Sequence, residues 1–200
     1  AAMAPAAHLL QCRHRRAEVS PMARIPLPTR ETLDPEMQAR WDRQAQRGPV
    51  LNIMRVFMAN PTIELNARKI WEASGLSPRA REIVILRAAA TQQSSYEWHQ
   101  HVRIATAEGL STAEINAIRT WQSADCFSAD ERRLLAYVDA LAIGPRPDDA
   151  VFAAVSEGRT PGEVVGVTML ITLYFQLARI MAALDLETET PFVGWQVGAG

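Results

Sequence analysis

Ser77-Pro-Arg-Ala-Arg-Glu82-Ile-Val-Ile-Leu-Arg87-Ala-Ala-Ala90 is the stretch on which the fold turns. Serine followed by proline is a helix start. The serine oxygen can accept from an orphan backbone N–H, and proline at the first helical position lacks the N–H that would go unpaired there. From Ile83 to Ala90 only Arg87 is charged, so the helix is apolar almost all round. Such a helix cannot lie on a wet surface, and it predicts burial at the centre of the molecule or at a subunit interface.

Working outward, the same punctuation recurs. Downstream, Gln92-Gln-Ser94 breaks the chain before a helix from about Ser95 to Glu108, closed by Gly109. Ser111-Thr-Ala-Glu114 and Ser128-Ala-Asp-Glu131 are capping-box patterns, the second leading a helix to about Ile143. Gly144-Pro-Arg-Pro147 is a rigid linker, Asp148 to Glu157 a further helix, and Thr160-Pro-Gly-Glu163 opens the longest one, ending near Leu186. Upstream, Leu33-Asp-Pro-Glu36 starts a helix to about Arg47, ended by Gly48-Pro49. A short helix from Val50 to Met58 stops at Asn60-Pro61, and Pro61 is expected to open another that runs to Ala73. No Asn-Gly or Asp-Gly hairpin lies between alternating apolar runs. The expectation is an all-α bundle of about eight helices, with a tail from Glu187 to Gly200 whose Phe192 and Trp195 pack over a neighbouring surface.

Composition narrows the function classes. Hydrophobic residues make up 48% of the chain, enough for a proper core, and the net charge of -1 comes with no long run of one sign. Nucleic acid and acidic membrane surfaces are therefore poor partners. The most apolar stretch, Val164 to Leu177, carries Thr168, Thr172, Tyr174 and Gln176, and is expected to be a core or interface helix. Cys12 and Cys126 form neither a C-x-x-C nor a metal-ligand spacing, which points to a reducing, cytoplasmic setting. Neither G-x-G-x-x-G nor a P-loop is present, so no organic cofactor is expected. Residues 1–21 are alanine-rich and basic, and are expected to be an N-terminal extension, either a targeting peptide or sequence upstream of a start at Met22; residues 22–200 are expected to form one helical domain.

The chemistry-bearing residues follow the diagnostic helix. Glu97 and His101 are four apart, so their side chains share a helix face. A carboxylate beside an imidazole fixes the ring and supports general acid/base work. Trp98, Val102, Ala105 and Gly109 form the adjacent core-directed stripe, which puts the pair at the edge of the core, where clefts form. Taken alone, this spacing also fits a solvated helix contact, and Glu82 alone fits a surface pair with Arg79.

Glu82, then Ser94, Glu97 and His101 at intervals of twelve, three and four, resembles the motif of the carboxymuconolactone decarboxylase / AhpD-like family. That motif has glutamate, cysteine, cysteine and histidine at these spacings. Leu76 to Arg87, the follow-on Ala107-Glu-Gly-Leu-Ser111, and Tyr174 with Ala178-Arg179 also look typical of the family. The specific resemblance covers about Pro78 to Leu110, and a looser one extends from Leu33 to Leu186. It implies an AhpD-like fold, a proton-relay role for Glu82, and a homo-oligomer: a dimer, trimer or hexamer. Serine and glutamate at the two cysteine positions cannot form a disulfide, so an alkylhydroperoxidase-like antioxidant cycle is disfavoured.

The sequence thus predicts a cysteine-independent enzyme of proton-transfer type, a decarboxylase, isomerase or lyase acting on a small oxygenated, anionic molecule. His101 is expected to be the general acid/base and Glu97 its orienting partner or a second acid/base. Ser94 and Tyr96 are expected to hydrogen-bond the substrate, with Tyr174 nearby, and Arg103 or Arg179 to hold a carboxylate. Two other readings stand beside it. One is a metal site on Glu82, Glu97 and His101, although no dedicated metal spacing is expected; the other is a non-catalytic oligomer with a decayed site.

Overall fold

The computed structural model describes residues 23–63 and 66–189, so the expectations for residues 1–21 and for Phe192 and Trp195 lie outside the described residues. Among the described residues the chain is all α-helix with short 3-10 turns and no strand. The α-helices are α1 Pro35–Ala45, α2 Asn52–Met58, α3 Ala67–Ala73, α4 Pro78–Thr91, α5 Ser95–Ala107, α6 Thr112–Ala117, α7 Ala129–Ile143, α8 Asp149–Ser156 and α9 Pro161–Ala183. A 3-10 segment, Ile118–Ser123, follows α6 directly.

The diagnostic helix is α4, and it lies at the centre. It packs against α5, α7, α9 and the 3-10 segment. Its all-round apolar surface has a direct cause, because it feeds two hydrophobic clusters at once. Val84, Ile85 and Ala88 join Leu134 and Val138 of α7 and Leu170, Ile171 and Tyr174 of α9. Ile83, Leu86 and Ala89 join Trp98, Val102 and Ala105 of α5, together with Ile115 and Ile118. Burying each such isoleucine or leucine contributes about 1.5–3 kcal/mol, so α4 is held from every side.

Side-chain caps set most helix starts. Ser77 accepts from Ala80 N at 3.2 Å. Ser111/Glu114, Ser128/Glu131 and Thr160/Glu163 form reciprocal capping boxes at α6, α7 and α9. Arg79 of α4 then binds Glu114 at 2.6 Å and Glu131 at 2.9 Å, tying the starts of α6 and α7 to the central helix. Arg79 is thereby committed, which rules out the surface pairing of Arg79 with Glu82.

Two local expectations change. Pro61 does not open a helix. Asn60 accepts from the backbone N and the hydroxyl of Thr62, closing a turn, and α3 begins only after Asn66, whose side chain accepts from Lys69 N at 3.1 Å. The long helix α9 stops at Ala183 rather than Leu186, where Asp185 takes a positive φ of 48°. It also approaches α3 so closely that a Cβ on Gly166 would lie 2.0 Å from the Ala73 carbonyl oxygen, so only glycine fits there. By length and composition α9 could cross a membrane, but most of its apolar window is buried in the fold.

Candidate active site

A tight reversal between α4 and α5 builds the site. Gln93 takes a left-handed φ of 55°, which costs a side-chain-bearing residue roughly 1–2 kcal/mol. Ser94 then caps α5 by accepting from Glu97 N at 3.4 Å. The turn doubles α5 back along α4 and brings His101 opposite Glu82, nineteen residues earlier.

Glu82 is fully buried, and each of its oxygens accepts a hydrogen bond. Oε2 lies 2.7 Å from His101 Nδ1, and Oε1 accepts from Arg81 Nε at 3.1 Å. Arg81 lies with its guanidinium 4.8 Å from the centre of the Trp71 ring and also reaches Glu108 at 3.7 Å. Glu82 therefore orients the imidazole, the role that helix spacing had suggested for Glu97. With Nδ1–H given to Glu82, the neutral ring keeps its lone pair on Nε2. The Tyr174 and His101 rings stand nearly perpendicular, with centroids 5.0 Å apart.

Glu97 is different in kind. It is 2% exposed, and neither of its carboxyl oxygens has a hydrogen-bond partner among the described residues. Burial alone pushes its pKa up to about 9. At neutral pH Glu97 is a carboxylic acid that carries a proton.

Glu97 and His101 line a cavity of about 590 Å³, bounded by α1, α2, α3, α5 and α9. Its walls are largely apolar, with Ile53, Met54, Phe57, Leu177 and Met181, and Trp71 and Tyr174 close one side. The Trp71 indole donates to the Tyr174 hydroxyl at 3.2 Å. Burial first, and then the charge of Glu82 and, once it ionises at high pH, that of Glu97, hold the Tyr174 phenol well above its ordinary pKa, so it stays protonated and can donate.

The remaining expected site residues divide. Arg103 lines the cavity. Ser94 does not, because its oxygen is spent on the helix cap. Arg179 is exposed on α9 and is absent from the cavity wall. Tyr96 lines the cavity with its ring, but its hydroxyl donates to Glu189 Oε1 at 2.6 Å instead of facing a substrate. Glu189 also accepts from Gln100 Nε2 at 2.8 Å and Asn52 N at 2.6 Å, so the chain after α9 fastens α2 to α5. Gln100, Trp71 and Glu189 were missed because their partners lie 89 to 137 residues away, beyond any helix periodicity. The arginines that reach the cavity from α1 and the turn after it, Arg40, Arg43 and Arg47, carry a readable signal, a basic run at spacings of three and four.

Among the described residues no group of three or more His, Cys, Asp or Glu side chains is arranged to hold a metal ion. Cys126 is exposed in the loop before α7 and is a free thiol. No dithiol stands at the motif, where Ser94 and Glu97 occupy the two thiol positions.

Residues 58–140 match the model of the Carboxymuconolactone decarboxylase family, a span that includes Glu82, Glu97 and His101. No curated protein matches the chain significantly. Among solved structures, the chain is similar to a peroxidase-related protein from Silicibacter sp. TM1040, with a TM-score of 0.74 and 13% identity over 88% of this chain and 97% of that one. It is similar to an alkylhydroperoxidase AhpD core protein from Ralstonia eutropha JMP134, with a TM-score of 0.69 and 18% identity over 86% of this chain and 95% of that one. A third similar structure is a variant of the debrominase Bmp8 in complex with 2,3,4-tribromopyrrole, with a TM-score of 0.63 and 17% identity over 78% of this chain and 86% of that one. At these identities the likeness establishes the AhpD-like helical fold.

Proposed function

We propose, from the match of residues 58–140 to the carboxymuconolactone decarboxylase family and from the AhpD-like fold, that this chain is a proton-transfer enzyme of the decarboxylase, isomerase or lyase type. The observation that carries this reading is the pairing of two unlike groups on one cavity wall. Glu97 is a buried acid that keeps its proton, and His101 has one nitrogen fixed by Glu82 and the other left for the substrate. Groups whose environments push them toward opposite proton roles are what acid/base catalysis requires.

In this reading the substrate is a small oxygenated organic anion. Glu97 delivers a proton and His101 Nε2 accepts one. In a decarboxylation the bond from carbon to the carboxylate breaks and CO₂ leaves. The electron pair stays on carbon as an enolate and takes the Glu97 proton. In an isomerisation His101 removes the proton first. The Tyr174 hydroxyl donates to the substrate oxygen that gathers charge. A fold of this type accommodates a small cyclic molecule in Bmp8, which fits a cavity of about 590 Å³ here. Peroxide reduction through a dithiol is not part of the proposal, because Ser94 and Glu97 stand where its thiols would be needed.

The test uses lactones and β-keto acids in D₂O, with CO₂ release and deuterium incorporation followed together. His101→Ala and Glu97→Gln should each lower turnover by about 10²–10⁴-fold with helicity and particle size unchanged. Full turnover in both variants would remove the proposed roles.

A further inference from the structure

We propose that the cavity takes an amphipathic organic anion in one orientation, with its carboxylate outward at Arg40, Arg43 and Arg47 and a neutral carbonyl or hydroxyl inward at Glu97 and His101. This rests on the proton-transfer reading for its inner end and adds the substrate class and its direction, which within that reading selects the isomerisation branch, with His101 removing a proton, over loss of the carboxylate held at the mouth.

The first observation is where unsatisfied positive charge collects. Many of the described arginines are spent, among them Arg79 on Glu114 and Glu131, Arg81 on Glu82, Arg87 on Asp139, and Arg159 on Asp130. Arg40, Arg43 and Arg47 have no acidic partner among the described residues, and all three line this one cavity. Asp42, the carboxylate nearest to them in sequence, is taken by Arg30 through two hydrogen bonds of 2.7 and 2.8 Å. Arg103 adds a fourth guanidinium, from α5, with no acidic partner among the described residues. Singly, an exposed guanidinium gains little from an anion in water. Several around one half-enclosed mouth add their fields, draw an anion in, and can grip a carboxylate in bidentate fashion.

The second observation is the sign of the opposite end. The inner wall holds His101 backed by Glu82, which is fully buried, and the carboxyl of Glu97, which has no donor among the described residues. A carboxylate pushed to that depth would meet another carboxyl group and no cation of its own. A neutral oxygen would meet the Glu97 proton instead. The middle of the cavity, with Met54, Phe57 and Leu177, suits only an apolar segment. Charge outside, apolar body between, and neutral oxygen inside is the one polarity these walls match.

Three probes of nearly equal size test it against the full chain at low salt by titration calorimetry. They are para-acetylbenzoate, its methyl ester, and terephthalate. The expected result is that para-acetylbenzoate binds about tenfold more tightly than either of the other two. Replacing Arg40, Arg43 and Arg47 together by glutamine should erase its advantage over the ester, and replacing them by lysine should keep most of it, with circular dichroism checking that both variants fold. The proposal is overturned if the ester binds as tightly, if terephthalate binds more tightly, if the glutamine variant keeps the preference, or if none of the probes binds. The preference is read from binding alone, so its failure is distinct from the failure of the acid/base roles, which only turnover and deuterium incorporation report.

Discussion

Two polar clusters hang on the central helix α4, from residues five apart that point about 140° away from each other. One is built on Arg87. Its guanidinium meets Asp139 with one contact of 2.9 Å, and donates to the carbonyls of Ile118 at 3.1 Å and Arg119 at 2.9 Å. Asp139 also accepts from the Trp121 indole at 2.9 Å and Gln122 at 3.1 Å. The other is built on Glu82, with His101, Arg81 and, across the cavity wall, Glu97. Both are rich in charge and both are shielded from water. They differ in saturation. The Arg87 side is closed on itself, whereas the Glu82 side leaves Glu97 without a partner among the described residues and lines a cavity with His101 and Tyr174. Buried charge by itself marks a brace as readily as a site; the unused valence separates them.

The largest expected effect breaks the brace. Asp139→Ala strips Arg87, Trp121 and Gln122 of a shared acceptor and leaves a guanidinium largely shielded and unpaired. The variant should lose about 4 kcal/mol of stability in urea unfolding. If the two clusters are as distinct as their bonding implies, turnover per folded molecule should not change. A fall in turnover with no loss of stability would show that the brace is part of the site.

The next effect runs the other way. Glu97 has its folded pKa raised from 4.5 to about 9, so the folded state holds a proton that the unfolded chain releases. Its stabilising contribution is complete below the unfolded value and is lost as pH rises toward the folded one. Wild type should therefore weaken relative to Glu97→Gln by roughly 3 kcal/mol between about pH 5 and about pH 7. Parallel stability curves for the two proteins across that range would contradict the protonated acid on which catalysis is argued.

Much of this contrast was legible in the sequence, but not its assignment. The fold came through because caps and apolar periods are local: Ser77-Pro78, Ser111/Glu114, Ser128/Glu131 and Thr160/Glu163 each act within a single turn. Pro61 misled because proline serves a turn as well as a helix start, and only the Asn60 side chain decided between them. The motif located Glu82, Glu97 and His101 on neighbouring helices, yet helix spacing paired the wrong two. Residues four apart share a face, but the His101 ring turned across to α4, where Glu82 was already held by Arg81. Glu189 meets Tyr96 and Gln100 only through the tertiary fold, and nothing within one turn of it announces the contact; the basic run of Arg40, Arg43 and Arg47 is readable, but not the cavity it borders.

The smallest expected effect gives the finest comparison, because it makes the same change on both sides of α4. Trp121 and Trp71 each use the indole N–H once, toward Asp139 at 2.9 Å and toward the Tyr174 hydroxyl at 3.2 Å. Trp121→Phe should cost about 1 kcal/mol of stability and leave turnover alone, since Asp139 keeps Arg87 and Gln122. Trp71→Phe should cost no more than that, because the Tyr174 hydroxyl sits at a cavity wall where water can replace the indole. Its effect belongs in catalysis instead. Without the indole donating to it, the Tyr174 hydroxyl loses the contact that aims its proton, and kcat should fall severalfold while Tm barely moves. If both substitutions act on Tm alone, Tyr174 is packing and not part of the proton-handling wall.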